Sequence, residues 1–459
     1  ENKGSAEDTR IWHFAFYNKD LQQQWLADTA LIDGAKFHGH ARNDKYTFLF
    51  FLDKDRIRSS HNMQILVIDY PLNVFRVLDV MVPEKAQPLK FEIIKNRAVI
   101  GFNNSTFEPR ISIIDLENGN VSTAKPELEG LNIFQEIKYN SKEDKIYVVV
   151  DNYIGKKQNA LLVLKMTADG QVIQKMTIDP AIEGKVLNEA RIAFIHGDTL
   201  LVLGTYHGDP SRLKTTTEDT GPESAGYFAA RFISDRQDAI NYYNFLEFEE
   251  MYRSLSSKTI ADLRRKAEKQ KSRGEEYSLD YTLLLHDIIE MNDNYVLLSE
   301  AFYPEYRTVT NMYYDYYGRP IPQTYTVFDG YKYISGIAAA FTSGGELLWD
   351  NGIEMPDIIT FNLGKYLGNF VSGEELALFY GNENKVFYQM TGGENIGGAS
   401  QSITLENSYK GDKVMEDLGS RMIHWYDNYF LCYGYQKIRN NRLSESKRTI
   451  FYFNKLAFK

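Results

Sequence analysis

The residues best suited to chemistry are few and scattered. "TGPESAGY" (Thr220–Tyr227) comes within one residue of the G-x-S-x-G elbow that presents a serine nucleophile, with Pro222 where the first glycine should stand. That elbow needs a strand ahead of its serine. Here "KTTTEDTGPE" precedes Ser224 and is loop chemistry, so Ser224 reads as a loop residue. "FHGH" sets His38 and His40 two apart, hence on one face of a strand, but two imidazoles are only part of a metal site. His196 and His207 each begin "HGD", which is turn material. "TGGENIGG" (Thr391–Gly398) is glycine-rich, yet it lacks the Lys-Ser/Thr ending and the following helix of a phosphate loop. The single cysteine, Cys432 in "YFLCYGYQ", reads as a small buried hydrophobe, and no internal disulfide is possible. Glu136, Glu189 and Asp287 stand near strands, but no two pair by sequence as the carboxylates of a glycosidase must. No catalytic residue, metal ligand or cofactor is assigned.

Two longer stretches carry a different chemistry. "NMYYDYYGRPIPQTYTVFDGYKY" (Asn311–Tyr333) holds seven tyrosines, two prolines and two glycines. With "FYPEYRTVT" ahead of it, it forms an insertion over 303–333 that exposes Tyr303, Tyr306, Tyr313, Tyr314, Tyr316, Tyr317 and Tyr325 as candidate partner-binding residues. Gly318 and Pro320 read as a turn, so Tyr313–Tyr317 is expected to pair with Thr324–Phe328 as a projecting hairpin. Tyrosine offers large rigid area with a polar tip, which suits protein interfaces and also stacking on sugars. The bland alternative is a satellite core packed on the scaffold.

The second stretch, "MYRSLSSKTIADLRRKAEKQKSRGEEYSLDY" (Met251–Tyr281), lies in an insertion over 249–280 and reads as a helix. Thr259 with Asp262 is the expected N-terminal capping box. Ile260, Leu263 and Ala267 give a narrow apolar face. Arg264, Arg265, Lys266, Lys269, Lys271 and Arg273 make the helix basic. It is either a solvated surface helix or a docking element for an acidic partner or anionic headgroups, with Arg264, Arg265, Lys266 and Lys269 as the contact candidates.

What must position these stretches is legible from composition and repetition. The chain has 459 residues, 43% hydrophobic and 25% charged, and so has a globular composition. Aromatics reach 14%, with Tyr 32 and Phe 27, a bias that favours strands. A net charge of −10 argues against general nucleic-acid binding, which phosphate neutralisation drives. No run approaches the ~20 apolar residues of a membrane-spanning helix.

Two kinds of hairpin alternate along the chain. One is an apolar strand, a polar turn and an alternating strand, as in "LLVLKMTADGQVIQKMTI" (Leu161–Ile178), "ISIIDLENGNVSTAKPEL" (Ile111–Leu128), "IAAAFTSGGELLWDNGI" (Ile337–Ile353) and "IWHFAFYNKDLQQQWLADTAL" (Ile11–Leu31). The other is a short strand, a polar turn and a very apolar strand, found from Phe37, Phe91, Phe134, Ala190, Leu283, Gly368 and Ser420. Together they give four strands per unit at a period of roughly 43 to 56 residues where nothing is inserted, the spacing of β-propeller blades. The degenerate repeats carry no WD or kelch signature, and they resemble the propeller architecture over most of the chain. The expected fold is therefore an all-β propeller of seven blades, with six to eight compatible, carrying one inserted helix and one Tyr-rich hairpin. It should occupy 11–459 as a single domain after a tether at 1–10, closed by pairing of N- and C-terminal strands, which would remove two open sheet edges.

The small, polar start, "ENKGSAEDTR", together with the composition, loosely resembles exported propeller proteins of Bacteroidota-type bacteria. The resemblance implies an extracytoplasmic protein, periplasmic or outer-membrane-associated, whose lipid anchor would sit on a residue ahead of Glu1. The expected function is non-enzymatic: a binding or scaffold subunit of a cell-envelope complex, with another envelope protein as partner. The alternative is a carbohydrate-binding or glycosidase-like propeller with a glycan as ligand.

Overall fold

The computed structural model describes residues 9–53, 61–69, 72–85, 87–104, 108–155, 158–182, 184–208, 223–253, 256–272, 281–356, 358–392, 400–405, 409, 411–441 and 446–457. The expected tether at 1–10 lies almost wholly outside them, as do most of the loop from Pro210 to Glu223 and the glycine run ending at Gly398. The described chain is a β-propeller with two short helices. It divides into two compact units, Glu1–Val202 with Ala230–Ala239, and Leu203–Ala229 with Ile240–Lys459.

Six blades are antiparallel meanders built around four strands. The first joins Lys36–Arg42, Thr47–Leu52, Met63–Asp69 and Val74–Val80; the second joins Gln87–Ile94, Arg97–Asn103, Arg110–Asp115 and Val121–Ala124. The third joins Leu131–Asn140, Lys145–Gly155, Gln158–Thr167 and Val172–Ile178; the fourth joins Val186–His196, Thr199–His207, Gly226–Ile233 and Arg236–Asn244. The fifth is larger: Tyr281–Leu285, Asn294–Tyr314, Pro320–Phe341 and Leu347–Glu354, with the short strands Glu223–Ser224, Ile289–Met291 and Ile359–Thr360 added. The sixth joins Gly368–Ser372, Glu375–Asn382, Lys385–Thr391 and Gln401–Thr404.

The blade count is six rather than the expected seven. The seventh strand pair of the repeat does form, but its sheet is only three strands wide. Lys413–Asp417 and Arg421–Tyr426 share one edge of Tyr429–Arg439, and Lys447–Ala457 takes the other. Thr9–Tyr17 and Gln23–Ile32 form a two-stranded sheet of their own. That hairpin lays Trp12, Phe14 and Phe16 over the first blade, with the Trp12 and Phe51 rings 4.9 Å apart edge to face.

Local sequence explains the elements. Second strands such as Thr199–His207 are buried at nearly every position, on both faces, as strands sandwiched between neighbouring sheets must be. The turns supply the left-handed backbone that tight hairpins need. Ser234 and Asp235 (φ 50° and 62°) turn the fourth blade, and Glu383 and Asn384 (φ 48° and 62°) turn the sixth. In the "Ala-Asp-Gly" turn of the third blade, Gly170 carries φ 87°.

Blade-to-blade contact is apolar in the middle and polar at its margin. Phe50 of the first blade stacks on Phe91 of the second at 3.9 Å, within a cluster that also holds Phe48, Ile65, Ile100 and Phe102. At the margin, side-chain carboxamides stand in for peptide groups. Asn103 donates to the carbonyl of Phe134 and accepts its N–H, both at 2.8 Å, joining the second blade to the third. Gln135 does the same across the next boundary, donating to the Asn188 carbonyl at 2.7 Å and accepting from the Ala190 N–H at 2.9 Å. Gln135 is free to do so because a bulge between Phe134 and Glu136 drops it from its own ladder. Gln237 bonds both backbone groups of Asp179 across the boundary of the third and fourth blades; within the first blade, Asn62 bonds both of Val82.

Asn62 is fully buried. Asn62→Ala strands the N–H and carbonyl of Val82 in a buried site, where each unsatisfied group costs about 1–3 kcal/mol. A loss of about 2–4 kcal/mol in urea unfolding is expected; a loss under 0.5 kcal/mol would show that the staple contributes nothing.

Candidate functional site

The Tyr-rich insertion is a two-stranded ribbon, continuous with the second and third strands of the fifth blade. Pairing runs without a break in direction from Tyr295↔Phe341 in the core to Tyr314↔Pro320 at the tip. The eleven residue steps from Tyr303 to Tyr314 span about 36 Å at the usual strand rise. The register differs from the expected one: Tyr313 faces Ile321 and Thr310 faces Thr324, so Tyr316 and Tyr317 fall in the turn instead of a strand. Asp315 builds that turn. Its carboxylate accepts the N–H groups of Tyr317 (2.9 Å) and Arg319 (2.8 Å), and Gly318 takes the left-handed position at φ 74°.

The pairing sorts the candidate tyrosines. Tyr306, Met312 and Tyr314 share one face with Phe328, Pro322 and the bonded pair Thr310–Thr324. Tyr313 and Tyr325 share the other with Val309, Val327 and Ile321. Tyr325 is fixed there by Asn311, which donates to its hydroxyl at 3.0 Å. At the base, Tyr306, Phe328, Tyr331 and Phe302 form a chain of edge-to-face rings with centroids 5.0–5.8 Å apart. Exposure rises toward the tip: Tyr303 39%, Tyr314 71%, Tyr317 79% and Tyr316 97%. The rings at the tip are not a satellite core.

The helical insertion joins the last strand of the fourth blade to the first strand of the fifth and packs on the fifth. Helix α1 (Glu249–Arg253) packs along the strand Leu347–Glu354, and the Met251 N–H donates to Asp350 at 2.8 Å. Burial raises the Asp350 pKa above the usual carboxylate range, against that hydrogen bond. Helix α2 (Ser257–Ser272) begins after Ser256, whose hydroxyl donates to Glu354 at 2.9 Å and whose carbonyl accepts the Ile260 N–H. The cap is thus Ser256. Thr259, the expected cap, lies inside the helix, and Asp262 pairs with Arg265 at 2.9 Å instead of closing a box. Arg265 and Lys269 are exposed, while the side chains of Arg264, Lys266 and Lys271, and all of Arg273, lie outside the described set. Glu354 faces Ser335 across the ladder, four residues from Tyr331 at the ribbon's root, so the start of α2 is tied to the blade that carries the ribbon.

The remaining candidates are dispersed. Ser224 is buried in a two-residue strand paired with Tyr281. A bulge between Phe37 and Gly39 breaks the alternation that would put His38 and His40 on one face. Among the described residues no group of three or more His, Cys, Asp or Glu is placed to hold a metal. Glu136 accepts the Ile192 N–H at 2.5 Å, Glu189 lies 3.8 Å from Arg191, and Asp287 is exposed on a separate blade. Cys432 is buried as expected, and burial pushes its thiol up to about 11.

Sequence reasoning passed over one polar centre. Glu300 is completely buried, yet it accepts hydrogen bonds from the Tyr366 and Leu367 N–H groups at 2.9 Å and contacts His286 Nε2 at 2.7 Å. Beside it the Tyr333 hydroxyl donates to the Gly364 carbonyl at 2.5 Å, and burial pushes that phenol up to about 12. The signal was a lone glutamate inside the apolar run "YVLLSEAF".

No protein-family model matches this chain, and no curated protein does. Solved structures similar to it include the dihydro-heme d1 dehydrogenase NirN in complex with DHE (8% identity, TM-score 0.46, covering 97% of this chain and 72% of that one). Another is the β-propeller domain of the Trilobed protease from Pyrococcus furiosus (9%, 0.36, 92% and 97%). A third is a polysaccharide lyase, an ulvanlyase (7%, 0.46, 90% and 90%). Among the described residues no helix is long and apolar enough to cross a membrane.

Two outcomes follow from the buried groups. Glu300→Ala leaves two amides and an imidazole without their acceptor and should cost about 3–5 kcal/mol in chemical unfolding; a milder loss would place Glu300 outside the structural core. Iodoacetamide at pH 8 should leave Cys432 unmodified in the native protein and alkylate it in 6 M guanidinium, as read by mass spectrometry.

Proposed function

We propose that this chain is a non-enzymatic binding propeller that captures another protein through the ribbon of the fifth blade, with the basic face of α2 assisting. The observation that carries the reading is the exposed ring surface at the ribbon's end, where Tyr314, Tyr316 and Tyr317 are 71–97% exposed. Rings so exposed cost solubility without adding to the core, and their large rigid area with a polar edge is what interface hot spots use. The turn that presents them is fixed by Asp315 and Gly318, which lowers the ordering cost a partner must meet. Around it the blade is complete: the core segments of the two long strands pair with each other and, on their outer sides, with Tyr281–Leu285 and Leu347–Glu354.

In this reading the chain is a scaffold subunit of a cell-envelope assembly, held outside the cytoplasm. Arg265 and Lys269, exposed on a body of net charge −10, favour a partner that offers acidic groups near the ribbon's root.

The test replaces Tyr313, Tyr314, Tyr316 and Tyr317 together with serine. A photo-crosslinker at Tyr317 in the native host should identify the partner, and the purified partner should then bind the parent protein and lose at least 100-fold in affinity for the fourfold variant. The melting temperature should shift by less than 2 °C. A large drop in melting temperature would make the rings part of the core, and unchanged affinity would remove the ribbon from the interface.

A further inference from the structure

The loop Gly364–Leu367 is held more rigidly than a connector requires. Glu300 takes the N–H groups of Tyr366 and Leu367, and the Tyr333 hydroxyl takes both the carbonyl and, at 3.2 Å, the N–H of Gly364. The loop forms one wall of a cavity of about 380 Å3, within the range of small-ligand sites. The opposite wall is the strand Arg421–Tyr426 and its neighbour, with Arg421 and Tyr433 directly across the ladder from one another.

Arg421 dominates the interior. Its guanidinium lies 3.6 Å from the Tyr366 ring centroid, a cation–π contact, and donates to the Lys365 carbonyl. Gly364 makes room for it: a Cβ there would stand 3.2 Å from a guanidinium nitrogen. Among the described residues no carboxylate lies within ion-pair distance of Arg421, although the chain carries an excess of acidic residues. Lys365 and His424 line the same cavity, and the His424 ring is set by Phe370 at 4.5 Å and by its Nε2 contact with the Asp427 carbonyl at 2.8 Å. From Tyr433 at the cavity wall, a row of rings continues across the sheet through Phe451 to the half-exposed Tyr435.

We propose that this cavity binds an acidic sugar, with the carboxylate or sulfate of the sugar on the Arg421 guanidinium and its ring against Tyr433. A guanidinium already oriented by stacking presents its remaining N–H groups as a fork, the geometry that a planar carboxylate meets in two bonds. The flat face of Tyr433 matches the C–H face of a pyranose, and the ring row beyond it accommodates further residues of a chain. The site is separate from the ribbon and does not depend on it.

The test is calorimetric titration of the full chain with sodium glucuronate, glucose and sodium sulfate. Glucuronate should bind saturably, and glucose and sulfate at least tenfold more weakly, since each offers half of the recognised chemistry. Arg421→Gln should weaken glucuronate tenfold or more, and Arg421→Lys by less. Tyr433→Ala should weaken glucuronate without changing the response to sulfate, which also covers the case in which the Arg421 variants do not fold. No heat with glucuronate at 20 mM, sulfate equal to glucuronate, or a folded Arg421→Gln protein that binds as the parent does would each overturn the proposal.

Discussion

Burial of both faces of the middle strands is the constraint on which the rest of this structure depends. A blade with neighbours on each side cannot alternate apolar and exposed polar residues, so its second and third strands are buried along nearly their whole length and mostly apolar, as in Thr199–His207 and Met63–Asp69. Such strands leave no room for polar side chains to meet the backbone groups at the margins between sheets. Asn103, Gln135 and Gln237 answer that need, because a carboxamide presents the same donor and acceptor as a peptide unit. The blades are therefore joined by apolar contact over most of their area and registered by a few amide pairs at fixed positions.

Against that background the fifth blade stands apart. Its second and third strands run on beyond the core, and a two-stranded ribbon is marginal in water without support. Support comes at the root, from the ring chain Phe302, Tyr331, Phe328 and Tyr306, and at the tip, from the Asp315 turn. The ribbon is thus fixed at both ends and bare in between.

Much of the architecture was legible in the sequence because it rests on period. Each of the seven apolar strand pairs forms adjacent strands of one sheet, and the turn residues that tolerate positive φ stand where turns occur. What was not legible depends on long-range partners. The seventh sheet stops at three strands because Lys413–Asp417 and Arg421–Tyr426 occupy one edge in succession, which no local pattern announces. The helix starts after Ser256, ahead of Thr259, with the serine hydroxyl held by Glu354 ninety-eight positions away. For the candidate site, the ribbon's existence followed from composition, but its register followed from the Asp315 turn. The Arg421 cavity was invisible, since Tyr366 and Arg421 meet only through sheet packing.

Continuity between ribbon and core has a mechanical side. The strands that reach the tip at Tyr314 and Pro320 are the same strands that hold Leu297, Leu298, Ala338 and Ala339 in the interior. A pull on the tip along the ribbon is therefore carried inward to the ladders with Tyr281–Leu285 and Leu347–Glu354, which it loads in parallel, every hydrogen bond at once. Such a joint resists tension far better than one opened bond by bond.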